Sequence, residues 1–143
     1  RQLGQEAMSA ELFLQKLVRS AIVSSSAVVA LVPAAGILDR NEKPNPRPSI
    51  VIGEGQAIDD GVIARTRLRV HLDLHVWIEE PSTETGKRVA GLIRSVVRGI
   101  ARRTSDGFHL ADCRVSSARF LRDPDGQTSH SVVSVEALVQ EVS

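Results

Sequence analysis

The sequence predicts an α+β fold in which helices pack on one face of an antiparallel or mixed β-sheet. Residues 68–78 alternate strictly between apolar and polar side chains, the pattern of a strand with one buried face. Residues 89–100 instead repeat apolar side chains at helical spacing. One-sided alternation is typical of antiparallel or mixed sheets rather than doubly covered parallel ones. The segments taken in order predict the arrangement α-α-β-β-β-α-β-β.

Length and composition bound the class of protein. The 143 residues fit one domain spanning 1–143, and 42% apolar residues suffice for a core. A net charge of +1 and only four aromatic residues, three Phe and one Trp, give no support to a broad nucleic-acid-binding surface. The single cysteine, Cys113, excludes an intramolecular disulfide and a Cys-rich zinc site. Without a long apolar run or an apolar leader, we expect a soluble protein made in the cytoplasm with no membrane partner.

The first third of the chain predicts two helices. We expect residues 1–8 to form a flexible N-terminal segment. Ser9 is the predicted N-cap of a helix over 9–23, because apolar side chains recur there at helical spacing. Ser26 is then expected to cap a short helix over 27–31.

Two short strands and two loops are expected next. The strands are predicted over 36–39 and 50–52, and the segments 39–49 and 53–64 are interpreted as exposed loops. Gly53-Glu54-Gly55 resembles the opening of a dinucleotide-binding loop, but no third glycine or helix follows at the required spacing. We therefore interpret these residues as a turn or bulge.

The long strand predicted over 65–80 carries the residues most suggestive of chemistry. His71, Asp73 and His75 line its polar side, but the two histidines stand about 13 Å apart along a strand. They cannot bind one zinc ion, whose ligands sit ~2.1 Å from the metal. We expect a solvated or interfacial sheet face, with Trp77 either a subunit contact or a partly exposed strand-end side chain.

A helix is predicted from Ser82 or Thr83 to about 103, with its apolar stripe covering the sheet. Arginines follow its opposite side, and small residues follow its flank. This surface is either solvated or a docking face, since Arg is favoured at interfaces. The residues in question are Arg94, Arg98 and Arg102 on one side, and Gly91, Ser95 and Gly99 on the flank.

Two closing strands are predicted, over 113–122 and 131–141, joined by an exposed loop over 123–130 with Asp-Pro-Asp-Gly turn chemistry. Cys113 is expected to be a packed residue of the first of them. A Ser nucleophile elbow, a P-loop and a zinc-protease helix are all absent from the sequence. We therefore predict no enzyme, no catalytic or metal site and no cofactor.

Over residues 11–141 the chain resembles the small tail-terminator, or tail-completion, proteins of long-tailed bacteriophages and phage-derived gene transfer agents. The resemblance rests on the opening helix pair and on four later features. These features are Pro48-Ser49-Ile50-Val51-Ile52, the strand ending Val70-His71-Leu72-Asp73-Leu74-His75-Val76-Trp77, the helix directly after it, and the hairpin from Arg122-Asp123-Pro124-Asp125-Gly126 to His130-Ser131-Val132-Val133-Ser134-Val135.

The resemblance implies a homohexameric ring at the neck of a phage-like particle. Such a ring ends the tail tube, contacts the tail tube protein and the stopper protein of the head connector, and lets DNA pass through its lumen with only transient contact. Because the segments 39–49 and 123–130 are expected to be exposed, we interpret them as docking arms. The interface candidates are Arg65, Arg67, Arg69, Trp77, Gly91, Arg94, Ser95, Arg98, Gly99, Arg102, Asp123 and Asp125.

Two alternatives stay open at this point. One is a small nucleic-acid-binding module that uses the row Arg65, Arg67 and Arg69, for which affinity should fall steeply with salt. The other is a head-side stopper or adaptor protein, because those chains are also small and form rings.

Overall fold

The computed structural model describes residues 8–39, 47–59 and 66–142. Three α-helices lie in these ranges and pack on one face of a six-stranded sheet, which confirms the predicted fold class. The helices are α1 (Ala10–Val23), α2 (Ser26–Leu31) and α3 (Glu84–Arg98), with a 3₁₀ turn at Ala34–Gly36. The strands are β1 (Ile37–Leu38), β2 (Ser49–Asp59), β3 (Arg67–Ile78), β4 (Thr104–Ser105), β5 (Phe108–Arg122) and β6 (Ser129–Glu141).

The N-terminal helices begin at serine caps. The Ser9 hydroxyl accepts a hydrogen bond from the Leu12 amide, as the sequence predicts. For α2 the prediction is one residue off, because Ser25 rather than Ser26 is extended and accepts from the Val28 amide. The run of three serines offers the same capping chemistry at each position, so backbone geometry decides which one serves.

The sheet is mixed, with strand order β1-β2-β3-β6-β5-β4. Among the described strands, β1 and β2 alone pair in parallel, and the other neighbouring strands pair antiparallel. At its centre, β3 and β6 pair without interruption from Arg67 opposite Gln140 to Ile78 opposite Ser129. This long ladder is the rigid platform on which the polar face described below is built.

The core lies between the sheet and the helices. The even-numbered residues of β3 from Val70 to Ile78 are buried, as the alternation predicts. Helix α3 covers them with Val89, Ile93 and Val97, which are inaccessible to solvent, while Leu92 and Val96 are only half-buried. The Phe13 and Phe108 rings, 5.3 Å apart between centroids, join α1 to the start of β5.

Helix α3 ends earlier than the sequence predicts. Gly99 is its C-cap, and by Arg102 the backbone has turned to φ 69°, so the helix does not continue to 103. The reason is competition for hydrogen bonds. The Arg102 amide donates to the Leu110 carbonyl and the Leu110 amide donates to the Arg103 carbonyl, which ties this segment to β5. Arg102 therefore does not continue the helical row of Arg94 and Arg98.

The segment predicted as a loop over 53–64 is strand as far as Asp59, and its residues 60–64 lie outside the described residues. Gly53 and Glu54 form a β-bulge, after which Gly55 pairs with Leu72 and the ladder resumes. The turn-or-bulge interpretation of these glycines is confirmed, but the strand continues beyond the bulge. The side chains after the bulge are mostly exposed, so the sequence there shows no alternation of buried and exposed residues that would predict a strand.

The closing hairpins start earlier than predicted. Strand β5 begins at Phe108 instead of 113, because Asp106 and Gly107 turn with φ 55° and 82° and pair β4 with β5. Positive φ at both central residues is the geometry that Asp-Gly favours in a two-residue hairpin. Strand β6 starts at Ser129, so the buried Thr128 and Ser129 do not belong to an exposed loop. At the other arm, Ser49 is buried in β2 and is not exposed either.

None of the helices in the described ranges is long and apolar enough to cross a membrane.

Candidate assembly surface

One face of the sheet carries no helix among the residues that the structure describes. Direct cross-strand partners point to the same side, so the odd-numbered residues of β3 share this helix-free face with the even-numbered residues of β6. The face is defined by Arg67, Arg69, His71, Asp73, His75 and Trp77 of β3, and by His130, Val132, Ser134, Glu136, Leu138 and Gln140 of β6. The predicted polar face is therefore continuous across the two central strands.

Polar pairs cross between strands in the middle of this face. The Ser134 hydroxyl donates to Asp73 Oδ1 over 2.6 Å. Glu136 lies between two basic side chains, with Arg114 Nη2 at 3.3 Å and His71 Nδ1 at 3.9 Å. Acidic and basic groups are thus mixed on this face, which keeps its local charge close to balance.

A stack of rings closes one end of the face. Trp77 and His130 lie nearly parallel with their ring centroids 3.8 Å apart. His130 Nε2 is 2.9 Å from His75 Nδ1, and His75 Nε2 is 3.3 Å from Glu54 Oε2. The hydrogen bond from His75 stabilises the charged carboxylate of Glu54 and so lowers the pKa of Glu54. Burial, and then the positive charge of His75, lower the pKa of His130.

The predicted arm 123–130 and the described residues 47–49 of the other predicted arm meet at this same end, and residues 40–46 of that arm lie outside the described residues. The Arg47 guanidinium carbon lies 5.2 Å from the centre of the Trp77 ring, and Arg47 Nη1 donates to Thr128 Oγ1 over 3.3 Å. Thr128 in turn donates to Asp125 Oδ2 over 2.9 Å. The Asp125 carboxylate also accepts from the Gln127 and Thr128 amides, and these bonds lower the pKa of Asp125, the Gln127 amide most of all.

The structure separates the predicted interface candidates into three groups. Trp77 and Asp125 belong to the end just described, and Asp123 lies half-buried at the base of the same turn. Arg67 and Arg69 lie on the helix-free face, while Arg65 is outside the described residues. The third group is exposed on α3 or directly after it, on the other side of the molecule, and comprises Gly91, Arg94, Ser95, Arg98, Gly99 and Arg102.

Three residues of this end escaped the sequence analysis: Arg47, Glu54 and His130. Their signal is weak, since each lies in a segment of turn-forming residues that the sequence marks as loop. The hairpin pairing brings His130 beside Trp77, and the bulge brings Glu54 beside His75. Gly53 permits the latter approach, because a Cβ there would stand 2.7 Å from the His75 ring.

Chemistry-bearing clusters are few in the described ranges. No group of three or more His, Cys, Asp or Glu there could hold a metal ion. An open groove of about 390 Å³ lies on the helix-free face beside Glu54, His75, Trp77 and His130. Cys113 is buried, as expected, and burial raises the pKa of its thiol to about 12, which leaves it protonated and unreactive.

A mixed sheet with a polar face on one side and helices on the other defines a small α+β domain. Comparison with known proteins gives the family. The model of the family described as tail completion protein gp17 matches residues 16–140, and the chain belongs to this family. The family is one of structural proteins, which confirms the prediction that the chain is not an enzyme.

Two solved structures share the fold. A chain in the virion of a native gene transfer agent particle superposes with a TM-score of 0.78 at 18% identity, covering 93% of this chain and 99% of that one. The gp17 protein of bacteriophage SPP1 superposes with a TM-score of 0.62 at 19% identity, covering 95% of each chain. No curated protein matches the sequence. The predicted resemblance to tail-completion proteins is confirmed.

Proposed function

We propose that the protein ends the tail tube of a phage-like or gene-transfer-agent particle as a homohexameric ring at the neck. In this role it contacts the tail tube protein on one side and the stopper protein of the head connector on the other, and DNA passes through its lumen. The family match over residues 16–140 is the observation that carries the proposal. A structural protein of tailed particles must assemble with other head and tail proteins.

The chemistry of the helix-free face supports a passage for DNA rather than a DNA-binding site. Glu136 and Asp73 lie among the arginines and histidines of that face, and the whole chain has a net charge of +1. A surface that grips DNA neutralises several phosphates with Lys and Arg and is far more basic. Balanced charge favours transient contact, which suits a channel through which DNA must move.

The arm-bearing end is the best candidate for contact with a neighbouring ring. Arg47 and Asp125 hold the two arms together beside Trp77, so the end presents an aromatic ring, a guanidinium and a carboxylate on a braced surface. Trp and Arg are the residues most often found at the energetic centre of protein interfaces. We propose that this end, rather than the α3 flank, docks on the tube or the stopper.

Particle assembly tests the proposal. Without the protein, tails should vary in length and fail to join heads, as seen by electron microscopy, and the neck of complete particles should hold six copies. Trp77→Ala together with Asp125→Ala should lower the yield of joined particles, whereas Arg88→Ala, an exposed change on α3, should not. Tails of normal length that join heads in the absence of the protein would contradict the proposal.

A further inference from the structure

We propose that adjacent copies in the ring join edge to edge, with β2 of one copy pairing antiparallel with β5 of the next, so that the sheets close into one barrel. The proposal rests on the ring of the previous section and names the surface that forms it. It is argued from the two outer edges of the sheet, which both have unpaired segments at the same level along the strands.

Each outer edge of the sheet is only partly covered by a short strand. On one side β1 covers Ile50 and Val51 of β2, and no strand among the described residues pairs with the outer side of residues 52–59. On the other side β4 covers Phe108 and His109 of β5, and no described strand pairs with the outer side of residues 110–118. Open edges of this length expose a row of backbone donors and acceptors.

The two open segments lie level with each other across the sheet. One row of partners runs from Ile52 through β3 and β6 to Ala118, and another runs from Asp59 to Leu110. Because β1 and β4 sit at opposite ends of the sheet, neither blocks a second sheet from approaching at this level. The open segments therefore match in length and position.

The strand directions also match. Strands β2 and β5 run in opposite directions, since three antiparallel pairings separate them. A copy rotated about an axis along the strands keeps its strand directions, so its β2 would meet β5 as an antiparallel neighbour. Such a contact joins two different surfaces and closes into a ring when repeated.

Charge favours a second copy of this chain as the partner strand. On the helix-free face, the open segment of β2 carries Glu54 in the bulge opposite Asp73. The row of Asp73 reaches β5 at Ser117, between the row of Arg114 on one side and that of Arg119 on the other. The Glu54 and Arg114 side chains are 77% and 61% exposed, so both can reach a neighbouring strand. Opposite charges facing each other across strands stabilise pairing.

The barrel would leave a channel of useful width. Four strands of each copy lie at the level of the open segments, and at ~4.8 Å per strand six copies give a barrel about 37 Å across at the backbone. Side chains of the helix-free face would take ~5 Å from each wall, whereas helices of ~10 Å diameter on the inside would block most of the opening. The helix-free face therefore lines the channel, and the helices lie outside.

Disulfide trapping in assembled tails tests this pairing. Gln56 and Arg114 lie in one row of the sheet but three strand spacings apart, about 14 Å, which is too far for a disulfide within one chain. Particles carrying Gln56→Cys and Arg114→Cys should, on oxidation, give a ladder of linked chains up to six copies. Asp112→Cys and Ser117→Cys extend the test by one step on the same face in each direction.

The controls separate this inference from the proposed function. Gln56→Cys with Lys16→Cys, an exposed position on α1, should give no ladder. If glutaraldehyde fixes six copies in particles whose cysteine pairs give no disulfides at any of the three β5 positions, the edge pairing is wrong and the ring stands. If glutaraldehyde fixes no oligomer either, both the ring and the pairing are wrong.

Hydrogen exchange gives a second measurement that needs no substitution. Amides that point outward from residues 52–59 and 110–118 should exchange at least ~tenfold more slowly in particles than in the free chain, because pairing removes them from water. Unchanged exchange along both edges would overturn the pairing, whatever the behaviour of the cysteine variants.

Discussion

Truncation of Ile93 on helix α3 is a direct test of how the helix packs on the sheet. Its side chain is fully buried, and Ile93→Ala removes three carbon groups. At ~0.8 kcal/mol for each buried group, the lost transfer free energy is about 2.4 kcal/mol. The cavity left behind adds to this, so we expect the free energy of unfolding to fall by about 3–4 kcal/mol, within the usual range for such changes.

Val96, one turn further along α3, is the matched comparison. Its side chain is only half-buried, and Val96→Ala removes two carbon groups, so we expect a loss of about 1 kcal/mol. Arg94→Ala, on the exposed side, should change stability by no more than ~0.5 kcal/mol. Urea unfolding followed by circular dichroism measures all three, provided that the slope of free energy against urea is the same. Equal losses for Ile93→Ala and Val96→Ala would refute the helix orientation.

Three further predictions concern the ring stack, the glycines and the arginine row. Burial lowers the pKa of His130 in the folded chain, so stability that is present above about pH 6.5 should be lost as the pH falls below that value. His130→Gln should weaken this pH dependence in thermal melts at pH 5 and 7, and an unchanged dependence would contradict the prediction. Gly91→Ala should stabilise the chain by up to ~1 kcal/mol, because the new Cβ would meet open space. Gly36→Ala should destabilise the chain, because its Cβ would stand 2.6 Å from the Pro48 carbonyl oxygen. If the stabilised Gly91 variant fails to assemble into particles, the α3 flank is a subunit contact. The affinity for free DNA at 50 mM salt should be negligible both in the unchanged protein and after Arg65, Arg67 and Arg69 are replaced by Ala. Tight, salt-sensitive DNA binding by the unchanged protein that the triple replacement abolishes would favour a nucleic-acid-binding module.

The sequence predicts those parts of the fold whose side-chain pattern follows from burial. In β3 one face meets the core and the other does not, so apolar and polar residues alternate and the strand is visible from the pattern alone. The same holds for α1 and for the apolar side of α3. In each case the signal exists because a regular element has one wet face and one dry face.

Elements stabilised by backbone pairing at an edge leave a weaker signal. The second half of β2 has exposed side chains on both faces, and β4 has only two residues, so neither produces a hydrophobic period. The end of α3 depends on a competing bond between Arg102 and Leu110, which no local pattern encodes. The Asp106-Gly107 turn is the exception, since that dipeptide is a recognised hairpin signal and would have located β4.

The difference between burial patterns, which the sequence shows, and strand pairing, which it does not, also explains why the candidate surface could be predicted only in part. A catalytic site shows itself as reactive residue types at fixed spacing, but an assembly surface is made of ordinary residues gathered by strand register. Arg47, Trp77 and Asp125 are far apart in the chain and meet only because β3, β6 and the two arms end at one edge of the sheet. The strand register also places residues 52–59 of β2 level with residues 110–118 of β5 across the sheet. If copies of the chain join in the proposed ring, the register of its strands has the part that a sequence motif has in an enzyme.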